Sequence, residues 1–180
     1  MGILLILRIV RILFGFITSV ILFLLETCIF ARLPFFPVAP NLLIVAASSF
    51  GFMRGEYEGI YVGFVCGFLM DVFFGSVLGL NTMLFMLTGY FNGKLNAVYY
   101  PSDLRLPLLA VLGSDLSIGV IQYSIFFLLR GRFDFFYYLI HIILPEVVFT
   151  LVSLFVLYPL LLFINRRLEE VEEKEARKFV

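Results

Sequence analysis

Residues 59–81 read GIYVGFVCGFLMDVFFGSVLGLN, and this stretch decides the fold. Counting from just before it, Gly55, Gly59, Gly63 and Gly67 recur every four residues; Asp71 takes the next step, and Gly75 and Gly79 complete the row. Positions four apart stay on one face of an α-helix, drifting by about 40° per step, so the row describes a winding groove with a single carboxyl in it. In lipid, helices associate through close packing and hydrogen bonds without a hydrophobic drive, and rows of small residues let backbones approach. Two readings of Gly55, Gly59, Gly63, Gly67, Asp71, Gly75, Gly79 and the nearby Asn81 follow: packing inside a helix bundle, or a groove for a ligand or another protein's helix.

The rest of the chain has the same character. Of 180 residues, 62% are hydrophobic and 14% charged, with a mean hydropathy of +1.08. No soluble fold hides that much apolar surface. A bilayer crossing takes about 20 apolar residues, and the runs between breaks place spans near 10–31, 36–53, 59–76, 80–98, 106–129 and 136–163. The breaks (Arg32 to Pro37, Arg54 to Glu58, Gly75 to Gly79, Lys94 to Arg105, Arg130 to Asp134) combine Gly or Pro with charge, or use Gly alone. This predicts one all-α membrane domain over 1–164, a six-helix bundle with both termini in the cytoplasm, and a short charged cytoplasmic tail over 165–180. The tail mixes Glu169, Glu170, Glu172 and Glu173 with Lys174, Arg177 and Lys178, as a solvated helix end or a docking site would.

The fourth segment is short before Asn92, Lys94 and Asn96, a length that also suits a re-entrant loop. The basic residues decide for crossing. With six spans the inner side holds Arg8, Arg11, Arg54, Lys94, Arg105, Arg166, Arg167, Lys174, Arg177 and Lys178, against Arg32, Arg130 and Arg132 outside, which is ten to three. Without that crossing the balance turns to five against eight, contrary to the positive-inside rule. Arg8 and Arg11 precede an apolar run, yet no small-x-small cleavage site follows, so this segment is read as the first span. The charge pattern sets topology and gives no indication of nucleic-acid binding. Cys28 and Cys66 lie in apolar runs as structural thiols.

Four acids fall within spans: Glu26, Asp71, Asp115 and Glu146. Each costs on the order of 2.5 to 3.5 kcal/mol to insert at the centre of a helix, against about 0.3 to 0.6 gained per large apolar residue. They should therefore face protein, with Asp71 as a neutral acid donating a hydrogen bond to a neighbouring helix; a proton or ligand site is the other reading. Pro40-Asn41 and Pro145-Glu146 mark places where a helix begins or kinks, freeing backbone groups that the adjoining side chain can satisfy. The aromatic run Phe133, Phe135, Phe136, Tyr137 and Tyr138 suits an outer interfacial belt.

Enzymatic chemistry finds little support. His141 has no Ser or Cys nucleophile near it in sequence, Ser114-Asp115 lacks the Gly-x-Ser-Gly setting of membrane serine proteases, and neither Asp71 nor Asp115 carries a Gly-x-Gly-Asp signature. No metal-ligand spacing is found, and no cofactor is expected.

The order of motifs is familiar. Pro40-Asn41 opening the second span, Asp71 to Asn81 in the pattern D-x3-G-x3-G-x-N, then Gly89-Tyr90 and Gly93, resembles the bacterial rod shape-determining MreD family. Val77 departs from it, standing where many members carry proline. The resemblance implies a place in the cell-elongation machinery of the bacterial inner membrane. It implies association with an MreC-like bitopic protein and, through it, with an MreB-like filament and the peptidoglycan synthases. It also implies a fold similar to the substrate-binding subunits of energy-coupling vitamin transporters, so a small-molecule-binding transporter subunit is the alternative function.

The topology can be tested directly. Reporter fusions after Val98 and after Val180 should both report cytoplasm, and an external signal at either removes the six-crossing arrangement.

Overall fold

The computed structural model describes residues 2–30, 38–98, 105–126 and 135–177, with side chains over 9–170 of these. The predicted breaks at 32–37 and 130–134, Arg8 and the tail side chains beyond 170 lie outside the described residues. The chain is helical: α1 (Gly2–Leu24) with a π turn (Leu25–Ile29), α2 (Leu42–Arg54), α3 (Glu56–Phe74), α4 (Leu80–Lys94) with a 3₁₀ turn (Leu95–Val98), α5 (Arg105–Phe126), α6 (Phe135–Tyr138), a second π turn (Leu139–Ile143) and α7 (Leu144–Arg177). Among the described residues there is no strand.

Four stretches are long and apolar enough to cross a membrane: Ile9–Ile29, Glu56–Phe74, Arg105–Phe126 and Phe135–Glu170. They coincide with the first, third, fifth and sixth predicted spans. The other two are shorter than the sequence reading. α2 has 13 residues and α4 has 15, which at about 1.5 Å per residue gives about 20 and 22 Å, against a hydrocarbon core of about 30 Å. α2 starts late, at Leu42, because residues 38–41 are not helical, whereas α4 starts at Leu80 as predicted and its α-helix ends at Lys94, where the 3₁₀ turn takes over.

α2 forms the centre. Every residue from Leu42 to Phe52 is buried, and α2 touches α1, α3, α4, α5 and α7. A helix apolar on all sides is stable only when surrounded. The outer helices instead expose large apolar side chains, such as Leu13, Ile17 and Ile21 on α1 and Val152, Val156 and Phe163 on α7. Those faces are where lipid belongs.

Two glycines of the row make turns. Gly55 alone links α2 to α3, at φ 94 and ψ −176, a region only glycine occupies freely. Gly79, at φ 95 and ψ −13, reverses the chain into α4. The second π turn has a covalent cause. Pro145 lacks an N–H for the next helical bond, and Leu144 donates instead five residues back, to the Leu139 carbonyl.

Gly55→Ala should therefore lower stability by about 1 to 3 kcal/mol, read as thermal unfolding in detergent. Gly113→Ala, in a helical position with open space around it, should be neutral or stabilising by up to about 1 kcal/mol. Equal effects at the two positions would refute the conformational argument.

Candidate functional site

The remaining glycines of the row are packing positions. A Cβ at Gly59, Gly63 or Gly67 would press into backbone of α4: the Gly89 carbonyl carbon at 2.9 Å, the Phe85 carbonyl carbon at 2.7 Å and the Asn81 oxygen at 2.6 Å. The fit is reciprocal. Gly51 on α2 faces the Gly89 oxygen and the Gly93 nitrogen, both at 2.9 Å from its Cβ position, while Gly89 abuts Gly59 and Gly93 abuts Glu56. α2, α3 and α4 thus meet backbone to backbone. Along Gly59, Gly63 and Gly67 the groove is filled by α4 of the same chain, and Gly75 lies at the end of α3 against the Asp71 carbonyl.

Asp71 ends this contact. It is buried, and its carboxylate accepts from Gly79 N at 2.9 Å, Asn81 N at 3.1 Å, Thr82 N at 2.9 Å and Thr82 Oγ1 at 2.6 Å. Four accepted bonds describe a carboxylate, which corrects the expectation of a neutral, donating acid. Its place is the N-terminus of α4, where three unpaired N–H groups and the positive end of the helix dipole favour a negative charge. Asn81 reaches on to α5, its Oδ1 accepting from Gln122 Nε2 at 2.8 Å.

A second cap of the same kind holds α2. Glu26, on the π turn after α1, accepts from Leu42 N at 2.8 Å and Leu43 N at 3.2 Å through one oxygen. Asn41 completes the cap, its side chain accepting from Ile44 N at 3.1 Å. The Asn41 N–H in turn donates to Thr150 Oγ1 at 2.9 Å on α7. Thr150 stands one turn after Glu146 and beside Asp115 of α5, so Glu26, Asn41, Asp115 and Glu146, scattered in sequence, converge on the start of α2. His141 does not join them. It faces outward on the π turn, stacked on Tyr137 with ring centroids 4.2 Å apart.

The family model of the rod shape-determining protein MreD matches residues 7–167. The chain belongs to the MreD family. No curated protein and no solved structure matches it. Membership assigns the chain a role in rod shape determination, and with four spanning-length apolar helices it is a membrane protein.

Within this MreD-family bundle, further polar groups join helices that the sequence reading left apart. Asn92 of α4, buried, donates to Ser48 Oγ of α2 at 2.8 Å and to Ser114 Oγ of α5 at 3.1 Å. At the opposite end from the caps, Arg54 bonds Glu58 at 3.1 Å and the Asn165 side chain of α7, while Arg11 of α1 reaches Glu58 at 3.5 Å. The four-residue step from Gly89 to Gly93 repeats the spacing of the third-span row, and that was the available signal for α4 as its partner. Thr82, Thr150 and Ser48 carried none, being ordinary small residues of apolar segments.

Both parts of the Asp71 contact can be broken separately. Asp71→Asn turns an amide towards N–H donors and should cost about 1 to 3 kcal/mol. Gly67→Leu forces α3 off α4 and should abolish the folded, monodisperse species on size-exclusion chromatography. A stable Gly67→Leu protein would contradict the backbone packing.

Proposed function

We propose that this MreD-family chain is a non-enzymatic membrane scaffold of the bacterial elongation complex. It crosses the inner membrane six times with both ends in the cytoplasm and acts with an MreC-like bitopic partner. Through that partner it communicates with an MreB-like filament and the peptidoglycan synthases.

The observation that carries this reading is the family match over residues 7–167, which spans the bundle from α1 into the inner half of α7. The geometry supports it in two ways. Interior polar side chains are engaged in joining helices: Asp71 to α4, Glu26 to α2, Asn92 to α2 and α5, Asn81 to α5. Such a network fixes shape. Second, α2 and α4 each pair with α3, and the end of α2, the start of α3 and the end of α4 come together beside Arg54, Glu58 and Glu56. Arg11 and Asn165 are at that same end. Arg11 and Arg54 at one end of the bundle, with Lys94 ending α4, fit two short helices completing crossings with the inner side there.

Photo-crosslinking in cells, with the reactive group placed on the lipid-facing side of α1, α5 or α7, should capture an MreC-like bitopic protein. Capture of transporter ATPase or coupling subunits in its place would overturn the scaffold reading in favour of a transporter subunit.

A further inference from the structure

The cluster of acids around the start of α2 leaves one buried carboxyl oxygen without a donor. Glu26 accepts from two backbone N–H groups at the start of α2 through one oxygen. Asp115, 3% exposed on α5, and Glu146 on α7 are electrostatic neighbours of Glu26 and of each other. Asp115 Oδ2 is buried with no hydrogen-bond partner. Thr150 offers the site one hydroxyl proton, placed between the Glu146 carbonyl at 2.8 Å and Asp115, while its oxygen accepts from Asn41 N; the Asn41 side chain is the partner of Glu146.

The groups facing this cluster are known from each element packed on it. α1 and its π turn give Glu26, α2 gives Asn41, α3 gives the buried thiol Cys66, α5 gives Asp115, α6 gives Tyr138 and α7 gives Glu146 and Thr150. The charged groups that act on Glu26 and Glu146 are the other acids of the cluster. Three neighbouring negative charges, Glu26 and Asp115 buried and Glu146 half-buried, one of them with an orphaned oxygen, are costly to hold together without a compensating positive charge. Among the described residues no group of acids, histidines and cysteines could hold a metal ion. A proton needs no cavity and no coordination shell.

We propose that Glu26, Asp115 and Glu146 form a proton-binding site, in which Glu26 stays ionised as the cap of α2 and the Asp115–Glu146 pair holds the proton. The site lies where α1, α2, α5 and α7 meet, so release of the proton places two like charges between α5 and α7 and loosens that contact. The proton comes from and returns to water, with no other reactant. The consequence is a bundle whose α5–α7 packing responds to protonation, independently of which partner it binds.

Infrared spectroscopy of the full chain in lipid nanodiscs tests this. At neutral pH the spectrum should carry the C=O stretch of a protonated carboxylic acid, shifted in D2O, and Asp115→Asn or Glu146→Gln should remove it while Asp71→Asn leaves it. A wild-type spectrum without that band overturns the proposal, as does a band that survives both Asp115→Asn and Glu146→Gln. Should those variants fail to fold, the wild-type spectrum decides, its neutral-pH band supporting the site and its absence refuting it.

Discussion

A helix that begins inside a bundle leaves its first N–H groups with no water to bond, and the whole arrangement depends on how this is resolved. α2 and α4 both begin this way. The carboxylate of Glu26 serves one and that of Asp71 serves the other, and each acid lies on the helix that packs beside the one it caps. Arg11 pairs with Glu58, and counting along the helices Glu26 is 15 residues from Arg11 and Asp71 is 13 from Glu58, or about 22 and 20 Å. The two caps therefore sit at a similar depth, and two short helices can end together with long ones. Each uncapped start would leave N–H groups buried at about 1 to 3 kcal/mol apiece.

Close backbone approach is the other half of the solution. α2 contributes almost nothing to the surface, yet it touches five other helices. It can do so because Gly51, Gly59, Gly63, Gly67, Gly89 and Gly93 remove side chains where α2, α3 and α4 cross. Without a hydrophobic drive in lipid, the contact energy comes from the number of atoms brought into van der Waals range and from bonds such as that of Asn92 to Ser48. A single β-carbon in the row therefore disturbs backbone, which cannot rotate out of the way as a flexible side chain does.

How much of this was legible in the sequence follows from the range of each interaction. The Asp71 cap is local: its partners lie 8, 10 and 11 residues on, so one motif contains both acid and helix start, although the sign of the bond, accepted and not donated, was visible only in the geometry. The glycine row was readable as a packing face because its period is that of the helix. Its partner was less legible, since Gly89 and Gly93 offer a single four-residue step and not a row. The convergence of Glu26, Asn41, Asp115 and Glu146 is long-range; Thr150, which joins Asn41 to α7 across 109 positions, has no pattern around it. Span counting ran long at α2 because hydropathy does not register where an apolar segment stops being helix: residues 38–41, before Leu42, are not helical.

The location of the polar groups bears on the scaffold role proposed above. α2 is tied at one end by Glu26 and Thr150, and at the other Arg54 binds Glu58 and Asn165. A buried ion pair contributes little net stability compared with apolar packing, and its known use is to fix one arrangement among several of similar energy. Here the bonds at the two ends join α1, α3 and α7 to the same central helix, so these helices cannot slide along it independently. The lipid-facing surfaces of α1 and α7 are then held in fixed register by contacts that never reach the surface themselves. Changes in α2 should consequently act on every face of the bundle through folding, whereas changes on the exposed faces of α1, α5 and α7 can alter recognition of a partner and leave the fold intact.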